Sequence, residues 1–452
     1  MSLTKLTAEP IISVSGLRGV IGESLDGDVA ARFTAAYLTT LPDGPIVVTR
    51  DGRASGPMLA AAIEQMLIRH GRVCLQADVA ATPTTGVLVR ELKAAGGIQI
   101  SASHNPPQYN GIKLFSGAGQ VISAQDGKQV IDQYRAHAAP AIASTPGKVE
   151  RVADPHAKHL ELVLDIVDVA AIRARKFKVL LDANHGAGAA LGKRLLEALG
   201  CDVTVLGATP DGQFAHLPEP IAENLAGVLK HVTEIGADVG FCQDPDADRL
   251  AIIDRDGRYL GEEYTLALCV DHWLRSHPGP VVTNCSTSRM TEDLAKKYGV
   301  PAFRSPVGEA NVTAVMKAQG AVIGGEGSGG AIHPQVGYVR DSFVGMALVL
   351  DAMAAREQSV GELADALPRY AIAKTKMTMS ADQLPTAFAK LKSHFSEAKA
   401  DEMDGLRLDF PTKWLLVRGS NTEPIVRAVA EAPTEPEAQE LCATALEVLR
   451  QS

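Results

Sequence analysis

The sequence predicts an α/β protein with several domains, and three observations support this. At 452 residues the chain is too long for one hydrophobic core, since about 150 residues per domain gives roughly three domains. Short β-rich runs alternate with helical patterns in three successive units, which favours parallel α/β layers and a repeated domain. After about residue 366 short alternating runs precede one helix, which is typical of a small α+β domain.

The first unit alternates strands and helices that are bounded by turn residues. The β-rich runs predict strands at 45–50, 73–76 and 97–101, and the helical patterns predict helices at 57–70 and 84–94. The third of these strands leads directly into a polar loop.

The second and third units follow the same scheme, although their sequences are too dissimilar to prove a repeat. In the second unit we expect strands at 178–183, 202–207 and 237–243, with a helix at 188–199. In the third unit we expect strands at 280–285, 302–305 and 320–325, with helices at 290–298 and 308–318.

The C-terminal part predicts three short strands and a final helix. Their ranges are 406–410, 414–419, 424–432 and 435–450. We expect the hinge to this part at 367–376, and a basic, proline-containing stretch around 140–155 is another candidate domain boundary.

Composition argues against several classes of protein. The net charge is −9 and aromatic residues make up 4%, without a long basic run, so we expect no nucleic-acid partner. No apolar run reaches the roughly 20 residues that a membrane span needs, and the N-terminus lacks the apolar region of a signal peptide. The six cysteines are scattered without a CxxC pair, which predicts buried free thiols and a cytoplasmic protein.

A polar loop after the strand at 97–101 carries the first candidate for chemistry. The segment SASHNPPQYNGIKLF places Ser103 beside His104 and Lys113 ten residues later. A serine on a tight loop after an apolar strand is expected to be exposed and held in place. That suits a nucleophile, but the segment alone is compatible with several chemistries.

An acidic loop follows the strand at 237–243. Asp244, Asp246 and Asp248 alternate along DPDADR and can converge on one hard cation, since Mg²⁺ prefers oxygen ligands. A solvated acidic turn is the alternative. An EF-hand fits poorly, because Arg249 replaces the turn glycine and Arg255 stands where the bidentate glutamate belongs.

A glycine-rich segment, GEGSGG, follows the strand at 320–325. Its spacing matches a dinucleotide-binding loop, but the residues after it contain Pro334 and show no helical period, so no helix is expected to open there. Glu326 and Ser328 can instead hydrogen-bond adjacent hydroxyls of a sugar. A purely structural turn remains the alternative.

Arginines mark three candidate anion sites. The segment RGSNTEP at 418–424, with Arg427 after it, combines a guanidinium, hydroxyls, an amide and loop N–H groups, although a polar hairpin loop would look the same. Upstream, Arg18 lies between glycines, and Arg50 and Arg53 flank a short polar stretch. Each of these three could reach a phosphate or simply lie on the solvated surface.

Together, and in this order, the four loops resemble the α-D-phosphohexomutase family, which includes phosphoglucomutases, phosphomannomutases and phosphoglucosamine mutases. The resemblance covers nearly the whole chain. It implies four domains in a heart shape around a central cleft, three related α/β domains with mixed sheets and a C-terminal α+β domain. We expect them at 1–152 (serine loop), 153–254 (metal loop), 255–367 (sugar loop) and 368–452 (phosphate loop).

The resemblance also implies a role for each matched residue near the reacting phosphate. Ser103 would carry a phosphoryl group as phosphoserine, and one of its oxygens would complete a Mg²⁺ site. Lys113 is similar to the family lysine near the reacting oxygens, a candidate general acid or base. The expected metal ligands are Asp244, Asp246 and Asp248, and the residues that would steady the phosphoryl group are Arg18 and Arg249.

Other matched residues would hold the sugar and its second phosphate. Glu326 and Ser328 would bind sugar hydroxyls. The expected ligands of the phosphate that does not react are Arg418, Ser420, Asn421, Thr422 and Arg427. The sequence departs from many members at Gly330, where a histidine is common, so Lys113 or another base would have to move the proton.

The implied activity interconverts hexose 6-phosphate and hexose 1-phosphate through phosphoserine and a 1,6-bisphosphate. One Mg²⁺ per chain and an activating hexose 1,6-bisphosphate are implied, and the enzyme would be a monomer or a homodimer. Glu309, in the segment SPVGEANV, could favour a protonated 2-amino group, so glucosamine phosphate is the expected sugar, with glucose or mannose phosphate as the alternative. A metal-dependent phosphatase and a non-catalytic sugar-phosphate sensor are competing hypotheses.

Overall fold

Four β-sheets follow one another along the chain in the computed structural model, which describes residues 6–419 and 424–451. The first sheet contains β1 (Ile11–Ser13), β2 (Gly16–Val20), β3 (Ile46–Arg50), β4 (Val73–Val79), β5 (Gly96–Ile100), β6 (Tyr109–Ser116) and β7 (Lys148–Arg151). The helices in this part are α1 (Gly27–Leu38), α2 (Gly56–Arg69), α3 (Thr82–Glu91) and α4 (Ala124–Arg135).

The second and third sheets have four strands each. The second contains β8 (Lys178–Asp182), β9 (Asp202–Leu206), β10 (Val239–Gln243) and β11 (Leu250–Asp254), with helices α5 (Ala157–Leu164), α6 (Val169–Arg175), α7 (Ala189–Ala198) and α8 (Ala226–Ile235). The third contains β12 (Val281–Asn284), β13 (Ala302–Ser305), β14 (Ile323–Glu326) and β15 (Gly330–Ile332). Its helices are α9 (Glu262–Leu274), α10 (Met290–Lys297), α11 (Glu309–Gln319), α12 (Ser342–Arg356) and α13 (Val360–Asp365).

The fourth sheet has five antiparallel strands covered by helices. Its elements are β16 (Ala371–Thr378), a short 3₁₀ turn (Ala381–Gln383), α14 (Leu384–His394), β17 (Lys399–Asp401), β18 (Leu406–Asp409), β19 (Trp414–Gly419), β20 (Ile425–Ala432) and α15 (Glu435–Arg450). The predicted fold class is confirmed: three α/β units precede an α+β unit.

The first three sheets share one strand order, which is the repeat that the sequence suggested. The order is β4-β3-β5-β6 in the first sheet, β9-β8-β10-β11 in the second and β13-β12-β14-β15 in the third. In each set three strands are parallel and the last is antiparallel. The serine, acidic and glycine-rich loops therefore all connect the third strand of a unit to its antiparallel fourth.

One buried hydrophobic cluster combines side chains of the second and third units, and each of these units also has a smaller cluster of its own. The main clusters of the first and fourth units are separate. Helix α12 lies within the shared core and is buried from Ser342 to Ala354. Apart from Asp351, which binds His272, the buried part of the helix is largely apolar on all sides, as expected for a helix enclosed between layers. The helix begins at Asp341, whose carboxylate accepts hydrogen bonds from Phe343 N (2.8 Å) and Val344 N (3.2 Å).

Two local expectations differ from the structure. The helix predicted at 84–94 begins at Thr82, because a proline such as Pro83 is accepted in the first turn, where its missing N–H has no intrahelical partner. In the predicted hinge at 367–376, residues from Ala371 onward belong to β16 and pair with β20. The domain boundaries and the hinge role remain predictions.

The glycine-rich segment leads into β15 rather than a helix, in agreement with the argument against a dinucleotide loop. Across the parts of the chain that the structure describes, every helix is too short or too polar to cross a bilayer.

A buried histidine joins three parts of the molecule. His159 on α5 donates from Nε2 to Asp341 Oδ2 (2.7 Å), and its Nδ1 lies 2.9 Å from the hydroxyl of Thr84 on α3. The ring also packs edge-on against Phe343, with centroids 5.2 Å apart. Polar groups buried in this way hold the first sheet against α12, because none of them can exchange its partner for water.

We expect His159→Ala to lower the thermal unfolding midpoint by several degrees. The truncation leaves the Thr84 hydroxyl and an oxygen of Asp341 buried without their partner, which costs about 1–3 kcal/mol for each group. Differential scanning calorimetry measures the midpoint, and His231→Ala, which removes a partly exposed histidine on α8, is the control. A midpoint equal to that of the unsubstituted protein would contradict the role assigned to His159.

Candidate active site

The serine loop and the acidic loop meet at Ser103. Its hydroxyl donates to Asp244 Oδ2 at 2.8 Å, which joins the loop after β5 to the loop after β10. The expectation that Ser103 is exposed is wrong: the residue is only 1% exposed, because it packs against the acidic loop. Its φ of +50° lies in the left-handed region, a conformation that costs a non-glycine residue about 1–3 kcal/mol unless its surroundings enforce it.

Arg53 is the residue that enforces this loop conformation. All five N–H groups of its buried guanidinium are used: Nε donates to Asp51 Oδ2 (3.1 Å), and the two Nη atoms donate to four carbonyl oxygens of the loop. The acceptors are the carbonyls of Ser103 (2.7 Å), Asn105 (2.5 Å), Pro106 (2.7 Å) and Tyr109 (2.8 Å).

The suggestion that Arg53 binds a phosphate is therefore wrong, since it has no N–H left to donate. Arg50 is also engaged elsewhere: its Nε donates to Asp78 Oδ1 at 2.7 Å near the surface. Ser101 completes the support of the loop, because its hydroxyl accepts from Ser103 N (2.9 Å) and donates to Asp51 Oδ2 (2.7 Å).

The three aspartates of the acidic loop are fully buried and converge. Asp244, Asp246 and Asp248 each offer a carboxylate oxygen, and these oxygens lie within 4.8 Å of one another. Asp246 Oδ1 and Asp248 Oδ1 have no hydrogen-bond partner among the described residues. Buried carboxylate oxygens without partners suit a hard cation such as Mg²⁺, which takes oxygen ligands, so the residues present fit a metal ion.

Lys113, on β6, reaches the same carboxylates. Its Nζ donates to Asp246 Oδ2 and, at 3.0 Å, to Asp248 Oδ2. Burial opposes the charge of Lys113, but the two carboxylates outweigh it and raise the lysine pKa. Lys113 therefore rests in the protonated state. Thr82, at the start of α3, also donates its hydroxyl to Asp246 Oδ2.

The pKa values of the aspartates differ with their partners. Burial and the neighbouring carboxylates raise the pKa of Asp244 well above its usual value. Burial also opposes the charge of Asp248, but Arg340, Lys113 and Arg249 together lower its pKa.

Three further basic side chains surround Ser103. Arg18 donates from Nη1 to Asn105 Oδ1 at 3.0 Å, and Arg249 Nε lies 3.9 Å from Asp248 Oδ1. His104 Nδ1 lies 3.3 Å from Ser103 Oγ. Burial and the two arginines lower the pKa of His104 to about 3, so at neutral pH the ring is uncharged and cannot neutralise a phosphate.

The sugar-loop candidates lie next to this centre. Glu326 Oε1 accepts from Asn284 Nδ2 (2.8 Å) and from the backbone N of Gly308 (3.2 Å), which ties the loop to the segment before α11. Ser328 is half-buried. Glu309, the first residue of α11, is buried, and this raises its pKa to about 7 although Arg340 opposes the shift.

Arg340 belongs to the site but was missed from the sequence. It lies between β15 and α12 and forms ion pairs with Asp248, Glu326 and Glu309. The only signal in the sequence was a basic residue directly before the capping aspartate of α12. That signal does not indicate a role until the three carboxylates are known to be close.

The fourth unit contributes Arg418 and Arg427, which are register partners on β19 and β20 and so share one face of the sheet. Arg418 Nη2 donates to Asp404 Oδ2 at 2.9 Å, and the same oxygen accepts from Val307 N at 2.7 Å. The predicted ligands Ser420, Asn421 and Thr422 lie outside the described residues.

Four family models match the chain. They are described as phosphoglucomutase/phosphomannomutase alpha/beta/alpha domain I (residues 10–140), domain II (155–257), domain III (262–370) and the C-terminal domain (374–448).

Several phosphosugar mutases are similar in sequence to this chain over nearly its full length. A phosphoglucomutase/phosphomannomutase of Thermococcus kodakarensis is 35% identical over 97% of this chain and 98% of its own length. A probable phosphoglucosamine mutase of Methanopyrus kandleri is 31% identical over 96% and 97%. A solved structure of a phosphoglucomutase/phosphomannomutase family protein from Burkholderia thailandensis has a TM-score of 0.84 and 26% identity, covering 97% of this chain and 98% of that one.

We expect Mg²⁺ or Mn²⁺ to raise the thermal unfolding midpoint, and Asp246→Asn to abolish most of that rise. A ligand that binds the folded state stabilises it, and the substitution removes one of three converging carboxylates. Thermal denaturation with increasing cation, started from EDTA-treated protein, measures the effect. Asp256→Asn, which changes an exposed aspartate in the turn after β11, is the control. An equal rise in the Asp246→Asn variant would place the cation elsewhere.

Proposed function

The chain belongs to the phosphoglucomutase/phosphomannomutase family, and on this premise we propose that it is a phosphohexomutase, an isomerase that interconverts hexose 6-phosphate and hexose 1-phosphate. One observation supports this most directly. The Ser103 hydroxyl lies 2.8 Å from a carboxylate of a buried acidic triad, in a loop whose backbone is held by Arg53. A hydroxyl in that position can carry a phosphoryl group next to a cation.

The reaction needs two transfers of a phosphoryl group. Phosphoserine at Ser103 donates its phosphoryl group to the free hydroxyl of the sugar phosphate: the serine P–O bond breaks and a sugar P–O bond forms. The 1,6-bisphosphate reorients, and its other phosphoryl group returns to Ser103. Phosphoryl transfer of this kind depends on positioning and charge neutralisation more than on covalent catalysis.

Side chains around Ser103 supply that charge and the protons. Lys113 rests protonated, so it can donate a proton to the serine oxygen as the phosphoryl group leaves, while the attacking sugar hydroxyl gives its proton to solvent. On the return transfer Lys113 takes the proton of the serine hydroxyl, and the sugar oxygen that is released takes a proton from solvent. Arg18 and Arg249 lie beside the serine loop and would steady the phosphoryl oxygens. Neutral His104 is a structural neighbour in this scheme.

Asp244, Asp246 and Asp248, with an oxygen of phosphoserine, would hold one Mg²⁺. When bound, the cation neutralises charge on the phosphoryl oxygens. We infer that hexose 1,6-bisphosphate activates the enzyme, since it phosphorylates Ser103 in the same way as the intermediate. The described cysteines are free thiols, which supports the cytoplasmic location that we propose.

The second phosphate would bind in the fourth unit. Arg418 and Arg427 are register partners there, and the predicted ligands Ser420, Asn421 and Thr422 lie between them in the sequence. Two guanidinium groups can grip a phosphate at either end of the sugar, and this is what a reorienting intermediate requires.

We propose glucosamine phosphate as the sugar. Glu309 Oε1 is buried and has no hydrogen-bond partner among the residues described, so it can accept from a protonated 2-amino group. Glucose or mannose phosphate is the second candidate, and the identity to the phosphoglucomutase/phosphomannomutase of T. kodakarensis favours it.

We expect Ser103→Ala to lose all mutase activity and to acquire no phosphoryl group. Removing the hydroxyl removes the phosphoryl carrier, while Ser116→Ala on β6 leaves it intact and serves as the control. A coupled assay with Mg²⁺ and hexose 1,6-bisphosphate measures turnover, and intact mass spectrometry measures phosphorylation. Steady release of phosphate by Ser103→Ala would indicate a phosphatase instead. Sugar-phosphate binding that is the same in Ser103→Ala as in the unsubstituted protein, with no turnover by either, would indicate a sensor.

We expect glucosamine 6-phosphate to be the best substrate among glucosamine, glucose, mannose and N-acetylglucosamine phosphates. Glu309→Gln should lower kcat/KM for glucosamine 6-phosphate relative to glucose 6-phosphate by about tenfold, because a charged hydrogen bond of about 1.5 kcal/mol is lost. Glu397→Gln, exposed in the fourth unit, is the control. Much slower conversion of glucosamine 6-phosphate than of the other sugars would exclude it as the physiological substrate.

A further inference from the structure

We propose that Arg340 is a positioning residue that holds the sugar-binding carboxylates in place, and that position 330 is glycine because the stem of Arg340 crosses it. This inference rests on the proposed mutase function. It assigns a role to a residue outside the four recognised loops.

The guanidinium of Arg340 binds three carboxylates with three different nitrogens. Nε donates to Glu309 Oε2 (2.8 Å), Nη1 to Glu326 Oε2 (2.7 Å) and Nη2 to Asp248 Oδ2 (2.6 Å). These acceptors come from the start of α11, the end of β14 and the acidic loop. The side chain is 11% exposed, so the three ion pairs are shielded from solvent.

Such an arrangement needs an arginine. The planar guanidinium directs N–H groups to several sides at once, whereas a lysine ammonium is a point charge at the end of a flexible chain. Without a shared cation, Glu309 and Glu326 would lie near Asp248 as buried like charges, and their repulsion would move the two glutamates. Among the residues that the structure describes, Glu309 Oε1 has no hydrogen-bond partner while Oε2 is held, so Arg340 leaves one oxygen available to a sugar.

Gly330 provides the space for this side chain. A Cβ at position 330 would lie 2.4 Å from Cδ, 2.8 Å from Cγ and 3.0 Å from Cβ of Arg340. Carbon atoms do not approach so closely, so any other residue at 330 would displace the arginine stem. The position of the Arg340 side chain therefore requires glycine at position 330.

The backbone of Arg340 is also fixed. The next residue, Asp341, donates its N–H to Ala331 O at 2.8 Å, and its carboxylate caps α12 and binds His159. The guanidinium is therefore presented from a rigid point, as a positioning residue requires.

The test compares Arg340→Ala, Arg340→Lys and Gly330→Ala with the unsubstituted enzyme. We expect Arg340→Ala to lower kcat/KM by about 100-fold, a loss typical of displaced substrate-binding groups, and to weaken binding of hexose 6-phosphate in calorimetry with EDTA present. Arg340→Lys should recover little of the loss, and Gly330→Ala should lose activity although it keeps the arginine. The control is Arg369→Ala, which removes an exposed arginine.

Chemical rescue separates positioning from mere structural support. Millimolar guanidinium chloride should restore part of the activity of Arg340→Ala by refilling the space between the carboxylates, and it should not rescue Ser103→Ala. If Arg340→Ala does not fold, as judged by circular dichroism, Gly330→Ala and Arg340→Lys decide the question.

The outcomes also separate this inference from the proposed function. An unsubstituted enzyme that isomerises no hexose phosphate overturns the mutase assignment. If the unsubstituted enzyme is active, two results overturn the role of Arg340. In the first, the folded Arg340 and Gly330 variants keep their kcat/KM and their affinity. In the second, they lose activity and guanidinium does not rescue Arg340→Ala.

Discussion

Three carboxylates buried within one loop are the constraint on which the rest of this structure depends. A buried charge without a partner is costly, so Asp244, Asp246 and Asp248 must be surrounded by donors. The donors come from separate parts of the chain: the serine loop, the start of α3 and β6 from the first unit, and the segment before α12 from the third. Donors of the first and third units thus meet at the buried carboxylates of the second unit.

The repeated topology explains how those units can meet. In each of them the functional loop connects the third strand to the antiparallel fourth, so each sheet presents it at the equivalent end. One arrangement of strands, used three times, therefore supplies Ser103, the acidic triad and Glu326. Chemical differences between the loops are carried by a few residues, while the strands beneath them keep the same order.

The fourth unit is attached by a different kind of contact. The second and third units share a large hydrophobic cluster, whereas the fourth meets the third through a small apolar cluster of Cys285, Trp414 and Leu416. Polar groups add to this contact, including the ion pair of Arg304 with Asp409 and the bond of Arg407 to Cys285 O. Asp404 links Arg418 to the backbone before α11. A small mixed interface can open at lower cost than a large shared core, which suits the phosphate-binding role proposed for the fourth unit.

The sequence by itself determined the alternation of strands and helices, the identity of the four loops and the acidic triad, because all of these depend on residues close together in the chain. It did not show that Ser103 is buried, that Arg53 supports the serine loop or that Arg340 joins three carboxylates. Asp248 and Arg340 are 92 positions apart, and Ser103 and Asp244 are 141 apart. Only the tertiary structure decided these pairings, because the role of a buried charged group depends on its neighbours. The fold brings those neighbours together from distant parts of the chain.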